Sequence, residues 1–159
     1  MAQNPDPSLP VTSLKGATRA LDDWTTMFHL VAVVLPDRPE GAGWITVADQ
    51  ISSVIGDADC RVVLCVTADP AISRRVIGDA DDRYLVLVDP DRALVKSLGL
   101  ERLPAIVHLR QDTTLVDAAE GWNPDEWQRV VDGVAAAMKW SVPPLGGPGT
   151  PRPTGGWPA

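Results

Sequence analysis

The feature that most constrains this chain is a set of strand-length runs that are apolar almost without interruption. Phe28 to Leu35 reads F-H-L-V-A-V-V-L, Arg61 to Val66 reads R-V-V-L-C-V, and Tyr84 to Val88 reads Y-L-V-L-V. A strand with one solvated face alternates apolar and polar residues, so such runs belong to strands covered on both faces. Between the first two, Trp44, Val47, Ala48, Ile51, Val54 and Ile55 follow helical spacing. Alternation of double-covered strands with amphipathic helices predicts an α/β fold with a parallel sheet.

An internal echo supports that pattern. Val54-Ile55-Gly56-Asp57-Ala58-Asp59-Cys60-Arg61 recurs as Val76-Ile77-Gly78-Asp79-Ala80-Asp81-Asp82-Arg83, each followed by an apolar run. The glycine suits a helix C′ position and the Asp-rich turn leads into a strand. A metal site built from these aspartates is the alternative, but their spacing matches no known binding loop.

The second half departs from strand-helix alternation. Ile106 to Leu109 is joined to Leu115 to Ala118 through Gln111-Asp112-Thr113. That connection is too short for a crossover helix, so an antiparallel hairpin is expected. A last helix follows, with Asn123 as N-cap, Pro124 at N1 and Glu126 at N3. Trp127, Val130, Val131, Val134 and Met138 form its apolar stripe.

Both ends differ from this body. Residues 1–11 carry Pro5, Pro7 and Pro10 and read as a flexible N-terminal arm. Residues 141–159 hold six prolines and five glycines, a composition that predicts an extended tail without helix or sheet. Two apolar handles stand in that tail, Leu145 and Trp157. The expected domain spans residues 12–140. A chain of 159 residues, 45% hydrophobic, suits one domain that buries a core without a metal or disulfide staple.

Charge and composition narrow the partners. A formal charge of −7 argues against a nucleic-acid surface, since nothing here would neutralise a phosphate backbone. No apolar run approaches the roughly 20 residues that span a bilayer, so membrane insertion is not expected. Met1 to Pro10 is polar and lacks the basic-then-apolar pattern of a secretory leader. Cys60 and Cys65 sit in a very apolar stretch, as thiols do in a reducing cytoplasm. A cytoplasmic protein is the expectation.

The segment V-D-P-D-R-A-L-V-K-S-L-G-L-E-R-L-P-A-I-V-H-L (Val88 to Leu109) resembles the thioredoxin-like superfamily, in particular its TlpA and peroxiredoxin-like branches. The resemblance lies in a third strand, a short helix and an L-P-A ahead of an antiparallel hairpin. The run A-E-G-W-N-P-D-E-W-Q resembles the glycine-then-last-helix ending of those proteins. The strand and helix between Cys60 and Gly78 resemble the insertion that separates these branches from thioredoxin itself. The likeness covers about residues 13 to 140. It implies a central five-stranded mixed sheet in spatial order 3-2-1-4-5 with helices on both faces. It also implies a cis peptide between Leu103 and Pro104.

One departure from the family pattern bears on function. Active members carry C-x-x-C or a peroxidatic cysteine in the loop after the first long strand, where a helix N-terminus lowers the thiol pKa. Here that loop is Pro36-Asp37-Arg38-Pro39-Glu40-Gly41-Ala42-Gly43-Trp44, with no cysteine, serine or threonine. Cys60 and Cys65 are poor substitutes. An extended segment places them roughly 16 Å apart and on opposite faces, beyond the roughly 7 Å Cα limit of a disulfide.

Other candidates carry less. His29 and His108 sit inside expected strands with no nucleophile obviously placed beside them. Asp89-Pro90-Asp91 lacks the glycine and later glutamate of a calcium loop, and no threonine follows as in a phosphotransferase pair. A helix cap at Asp89 or Asp91 is the plainer reading. Gly41-Ala42-Gly43 lacks the later glycine and lysine of a phosphate cradle. Trp122 and Trp140 stand open as interface residues.

By resemblance, the backbone at Leu103, Pro104 and Ala105, facing Glu40, Gly41 and Trp44, keeps a groove that binds an extended segment by strand addition. The expected function is a redox-inactive binding, accessory or assembly module for a protein or extended peptide, without catalytic residues, metal or cofactor. The alternative is a divergent thiol oxidoreductase or peroxiredoxin-like enzyme using Cys65. Trp157 is either part of a solvated terminus or the anchor of a strap, because tryptophan is the residue type most often found at interface anchors.

Overall fold

The apolar runs form the middle of a seven-stranded mixed sheet. The structure is a computed structural model and describes residues 1–25, 28–55, 60–137 and 145–159. In chain order the elements are β1 (Pro10–Ser13), β2 (Thr18–Ala20), α1 (Leu21–Thr25), β3 (His29–Leu35), α2 (Ile45–Ile55), β4 (Cys60–Val66), α3 (Pro70–Ile77) and β5 (Leu85–Val88). They continue as α4 (Ala93–Leu98), β6 (Arg102–Leu103), β7 (Ala105–Leu109), β8 (Leu115–Glu120), α5 (Pro124–Ala137) and β9 (Trp157–Pro158). Short 3-10 turns cover Pro39–Trp44 and Ala80–Asp82.

The sheet runs β2-β1-β5-β4-β3-β7-β8. Its five strands β5-β4-β3-β7-β8 are those read from the sequence, in the 3-2-1-4-5 order. β3, β4 and β5 are parallel, and β7 is antiparallel to both β3 and β8. The strand count needs correcting from five to seven. β1 and β2 form an N-terminal hairpin that pairs with β5 through Thr12 and Ser13. Both are short, and their mixed P-V-T-S and T-R-A sequences carry no apolar run, as suits an edge.

The N-terminal arm is hydrogen-bonded to its neighbours. The Gln3 N–H donates to Leu98 O and the Asp6 N–H to Ser97 Oγ, both at 2.8 Å, tying the arm along α4. Asn4 Oδ1 accepts from the Leu115 N–H at 2.8 Å, so the arm reaches β8 as well. Proline-rich backbone that cannot pair with itself is satisfied here by neighbouring elements.

Alternate residues of the inner strands enter two cores. Val31, Val33, Leu35, Val62, Leu64 and Val66 pack with the apolar sides of α2, α3 and α5. Leu30, Ala32, Val34, Val63 and Cys65 pack with Leu21 and Trp24 of α1 and Leu94, Val95 and Leu98 of α4. Helices on both faces thus follow from strands with no polar side. Gly78 (φ +59°) ends α3, its N–H donating to Arg74 O, as the second copy of the echo predicts. The Gly56 to Asp59 part of the first copy, and Met138 and Trp140, lie outside the described residues.

α5 holds the third layer in register. Asn123 Oδ1 accepts from the Asp125 N–H at 3.0 Å, and Trp127, Val130, Val131 and Val134 are fully buried. The Trp127 indole donates to Gly121 O at 2.8 Å and meets Trp122 edge-to-face, with centroids 4.9 Å apart. Trp127→Ala removes a large buried ring, a class of change that costs about 3–5 kcal/mol. Urea unfolding of this variant is expected to show a loss in that range; a loss below about 1 kcal/mol contradicts the packing.

The β3–β7 register also pairs the two histidines. Val31 lies opposite His108, so His29 is its diagonal neighbour, and His29 Nδ1 and His108 Nε2 are 2.9 Å apart. Burial pushes the His108 pKa from the ordinary 6.5 down to about 4; the charges of His29 and Arg110 act the same way and Asp117 opposes. A base depressed in the folded chain binds its proton more readily when unfolded. Its contribution is therefore complete above pH 6.5 and is lost as pH falls toward 4. Parent stability is expected to drop by on the order of 1–3 kcal/mol more than that of His108→Gln across this window. Parallel pH profiles for the two proteins contradict this.

Candidate functional site

β7 runs antiparallel to β3, so its first residue lies beside the last residues of β3. Ala105 pairs with Val34. The turn leaving β3 and the Leu103-Pro104 turn entering β7 therefore face each other across one end of the sheet.

On the β3 side, Pro36 follows Leu35, and Pro39–Trp44 winds as a 3-10 turn into α2. Pro39 opens that turn, where its missing N–H has no partner to forgo. Trp44 is buried. Gly41 is buried toward α3: a Cβ there would sit 3.1 Å from Pro36 O and 3.3 Å from Val76 Cγ1. Glu40 is exposed.

On the β7 side, the Leu103-Pro104 peptide is cis. Glu120 Oε1, from β8, accepts both the Glu101 and Arg102 N–H groups, at 2.5 and 3.0 Å. Pro104 O accepts the Gly121 N–H at 2.8 Å. These bonds fix the backbone of β6 from behind and leave its other edge for a partner.

The partner on that edge is the chain's own C-terminus. β9 pairs antiparallel with β6, Arg102 opposite Pro158 and Leu103 opposite Trp157. The tail was expected to form no sheet. It does so over two residues, because an edge pairing tolerates a proline whose missing N–H faces away. The Ala159 N–H donates to Glu101 O at 3.0 Å. Arg102 reaches back, Nε to Gly155 O at 3.3 Å and Nη2 to Gly156 O at 2.9 Å.

Side chains secure the same segment. The Trp157 ring meets Trp44 edge-to-face at 5.8 Å, and the Arg38 guanidinium lies 4.9 Å from the Trp157 ring centre. Upstream, Trp122 and Thr154 exchange backbone hydrogen bonds and the Trp122 indole donates to Pro151 O at 2.9 Å. Leu145 is buried, its N–H donating to Gln128 Oε1, while the Gln50 amide brackets Gly146 through its N–H and C=O.

Of the groove residues expected from sequence, Leu103 pairs with Trp157 and Trp44 meets its ring, Pro104 lies beside Gly156, and Gly41 turns inward. The sequence reading missed Arg38, Arg102 and Gly156. The one signal for Gly156 was the Gly-Gly pair directly before a tryptophan. Trp122, left open above, is buried beneath the tail. Gly43, from the discounted phosphate cradle, leaves space for it: a Cβ would lie 3.0 Å from Pro151 Cγ.

The remaining candidates lie elsewhere. Asp89 Oδ1 and Oδ2 accept the Leu94 and Val95 N–H groups, each at 3.0 Å, so this aspartate caps α4. Among the described residues no group of three or more His, Cys, Asp or Glu is placed to hold a metal. Cys60 and Cys65 are free thiols at the two ends of β4, in opposite cores. Burial pushes Cys60 up to about 12; it raises Cys65 too, with the nearby Asp89 charge adding.

No protein-family model and no curated protein matches the sequence. Solved structures do match in shape. A putative thiol:disulfide interchange protein DsbE from Chlorobium tepidum superposes with a TM-score of 0.71 at 13% identity, over 87% of this chain and 98% of that one. A secreted Mycobacterium tuberculosis disulfide oxidoreductase homologous to E. coli DsbE gives 0.61 at 17%, over 79% and 96%. Xanthomonas campestris peroxiredoxin Q gives 0.65 at 14%, over 84% and 90%. At such identities the likeness is one of fold. The chain has a thioredoxin-like fold.

Proposed function

We propose that this protein is a thiol-independent binding or accessory module that takes an extended protein segment along its cis-Pro edge. The observation that carries this reading is the β6–β9 pairing, in which that edge holds a strand with no cysteine in either wall. Strand addition uses backbone N–H and C=O groups, so it survives the loss of a nucleophile. In this reading Leu103, Pro104 and Ala105 form one side of the groove and Glu40 and Trp44 the other, with Gly41 packed behind toward α3 and Trp157 as the tail's anchor. The partner in this reading is a protein, because a charge of −7 disfavours nucleic acid. Two thiols kept apart as buried hydrophobes favour a cytoplasmic setting. No helix among the described residues is long and apolar enough to cross a membrane.

A second reading draws on the oxidoreductase and peroxiredoxin names of the structural neighbours: a divergent enzyme using Cys65. Its difficulty is chemical. The thiolate is the attacking species, and burial disfavours it at both cysteines. A colorimetric thiol reagent at pH 8 is expected to label neither cysteine in the folded protein within minutes, and both in denaturant. Insulin-reduction and peroxide-consumption rates are expected to equal those of a Cys60→Ser/Cys65→Ser variant. Activity present in the parent and lost in that variant overturns the proposal.

A further inference from the structure

The tail does more than cover the groove; its contacts describe what the groove accepts. Gly156 has φ +79°, and a Cβ there would collide with the Leu103 carbonyl and lie 3.3 Å from Pro104 Cδ. Only glycine fits that position without strain. The next residue, Trp157, places its ring against Trp44 with Arg38 over it, an arrangement that rewards an aromatic ring through edge contact and cation attraction. Arg102 binds the Gly155 and Gly156 carbonyls, so it holds backbone whatever side chain follows.

The body is shaped to match. Gly121, with φ +75°, admits the tail where a Cβ would come within 2.8 Å of Gly155 O, as Gly43 does beneath Pro151. Close approach at two glycines of the body and one of the tail marks a fitted contact. The segment is also held at Leu145 and at Thr154, so it is presented to the groove at a high effective concentration.

We propose that the cis-Pro groove binds extended segments in which a glycine is followed directly by an aromatic residue. The C-terminal tail is its intramolecular occupant. A protein partner bearing an exposed Gly-aromatic pair binds by displacing Trp157 and taking its place between Trp44 and Arg38. This deepens the binding-module reading and rests on it.

The test uses full-length protein and a fluorescein-labelled peptide of residues 150–159, followed by fluorescence anisotropy. Gly156→Val in the full chain unseats the tail by backbone clash; Trp157→Ala unseats it by removing the ring contacts without one. Both variants are expected to bind the peptide at least tenfold more tightly than the parent, whose own tail competes. A peptide carrying the Gly156→Val change, and one of scrambled order that separates glycine from tryptophan, are expected to bind at least tenfold more weakly. Equal peptide affinity for the parent and both variants overturns the tail as occupant. Equal binding of the scrambled peptide overturns the Gly-aromatic rule while leaving the binding groove in place. No binding of any peptide by variants that melt like the parent overturns the rule and the groove together.

Discussion

Burial of both faces of β3 and β4 is the constraint from which the other features descend. Each strand sends alternate side chains into cores lined by α1 and α4 on one side and by α2, α3 and α5 on the other. With no polar face, these strands must sit in the middle of the sheet. Because β7 returns antiparallel beside β3, the end of one strand and the start of the other are neighbours, Val34 opposite Ala105. The turn at Pro36–Trp44 and the turn at Leu103-Pro104 thus lie at the same end of the sheet, where Trp157 meets Trp44 from one and pairs with Leu103 of the other. Their meeting is a matter of strand direction and needs no particular chemistry in either loop.

The contact of the tail with that end of the sheet is one of backbone edges, glycines and aromatic rings. Glu120 satisfies the rear of β6 and so holds its other edge ready for pairing. A two-residue ladder is too short to persist by itself. Here it persists with help from Trp157 on Trp44, Trp122 bonded to the tail at Pro151 and Thr154, and Leu145 in the α2–α5 core. Proline-rich backbone loses less entropy on ordering than a flexible segment, which favours so long a strap over so small a pairing.

The sequence carried the parts of this structure whose signal is burial. The three apolar runs, the stripe on α5 and the hairpin of β7 and β8 are visible because their partners are the core itself. β1 and β2 left a weaker mark: this edge hairpin of mixed residues buries only Val11 and Ser13 of β1 and joins the sheet by backbone pairing to β5. The tail misled for a related reason. Its composition forbids a regular element of its own but not a short pairing to an edge already in place. His29 and His108 become partners only once the β3–β7 register is known, since 79 positions separate them along the chain. The resemblance to thioredoxin-like proteins supplied the cis peptide at Leu103-Pro104, whereas the missing cysteine was plain from the loop itself. Arg38 and Arg102 were unreadable, because their roles depend on where the last five residues lie.

Amide hydrogen exchange of the intact protein tests the central claim most directly, that the chain's own C-terminus lies along the cis-Pro edge. The Thr154 N–H donates to Trp122 O and the Ala159 N–H to Glu101 O. Both amides stand within the last six residues, where an unattached terminus exchanges at the rate of a free peptide. The account predicts that both are protected, along with the Trp122 amide that donates to Thr154 O. Free-peptide rates at Thr154 and Ala159, in a protein whose β3 and β4 amides are protected, would contradict it.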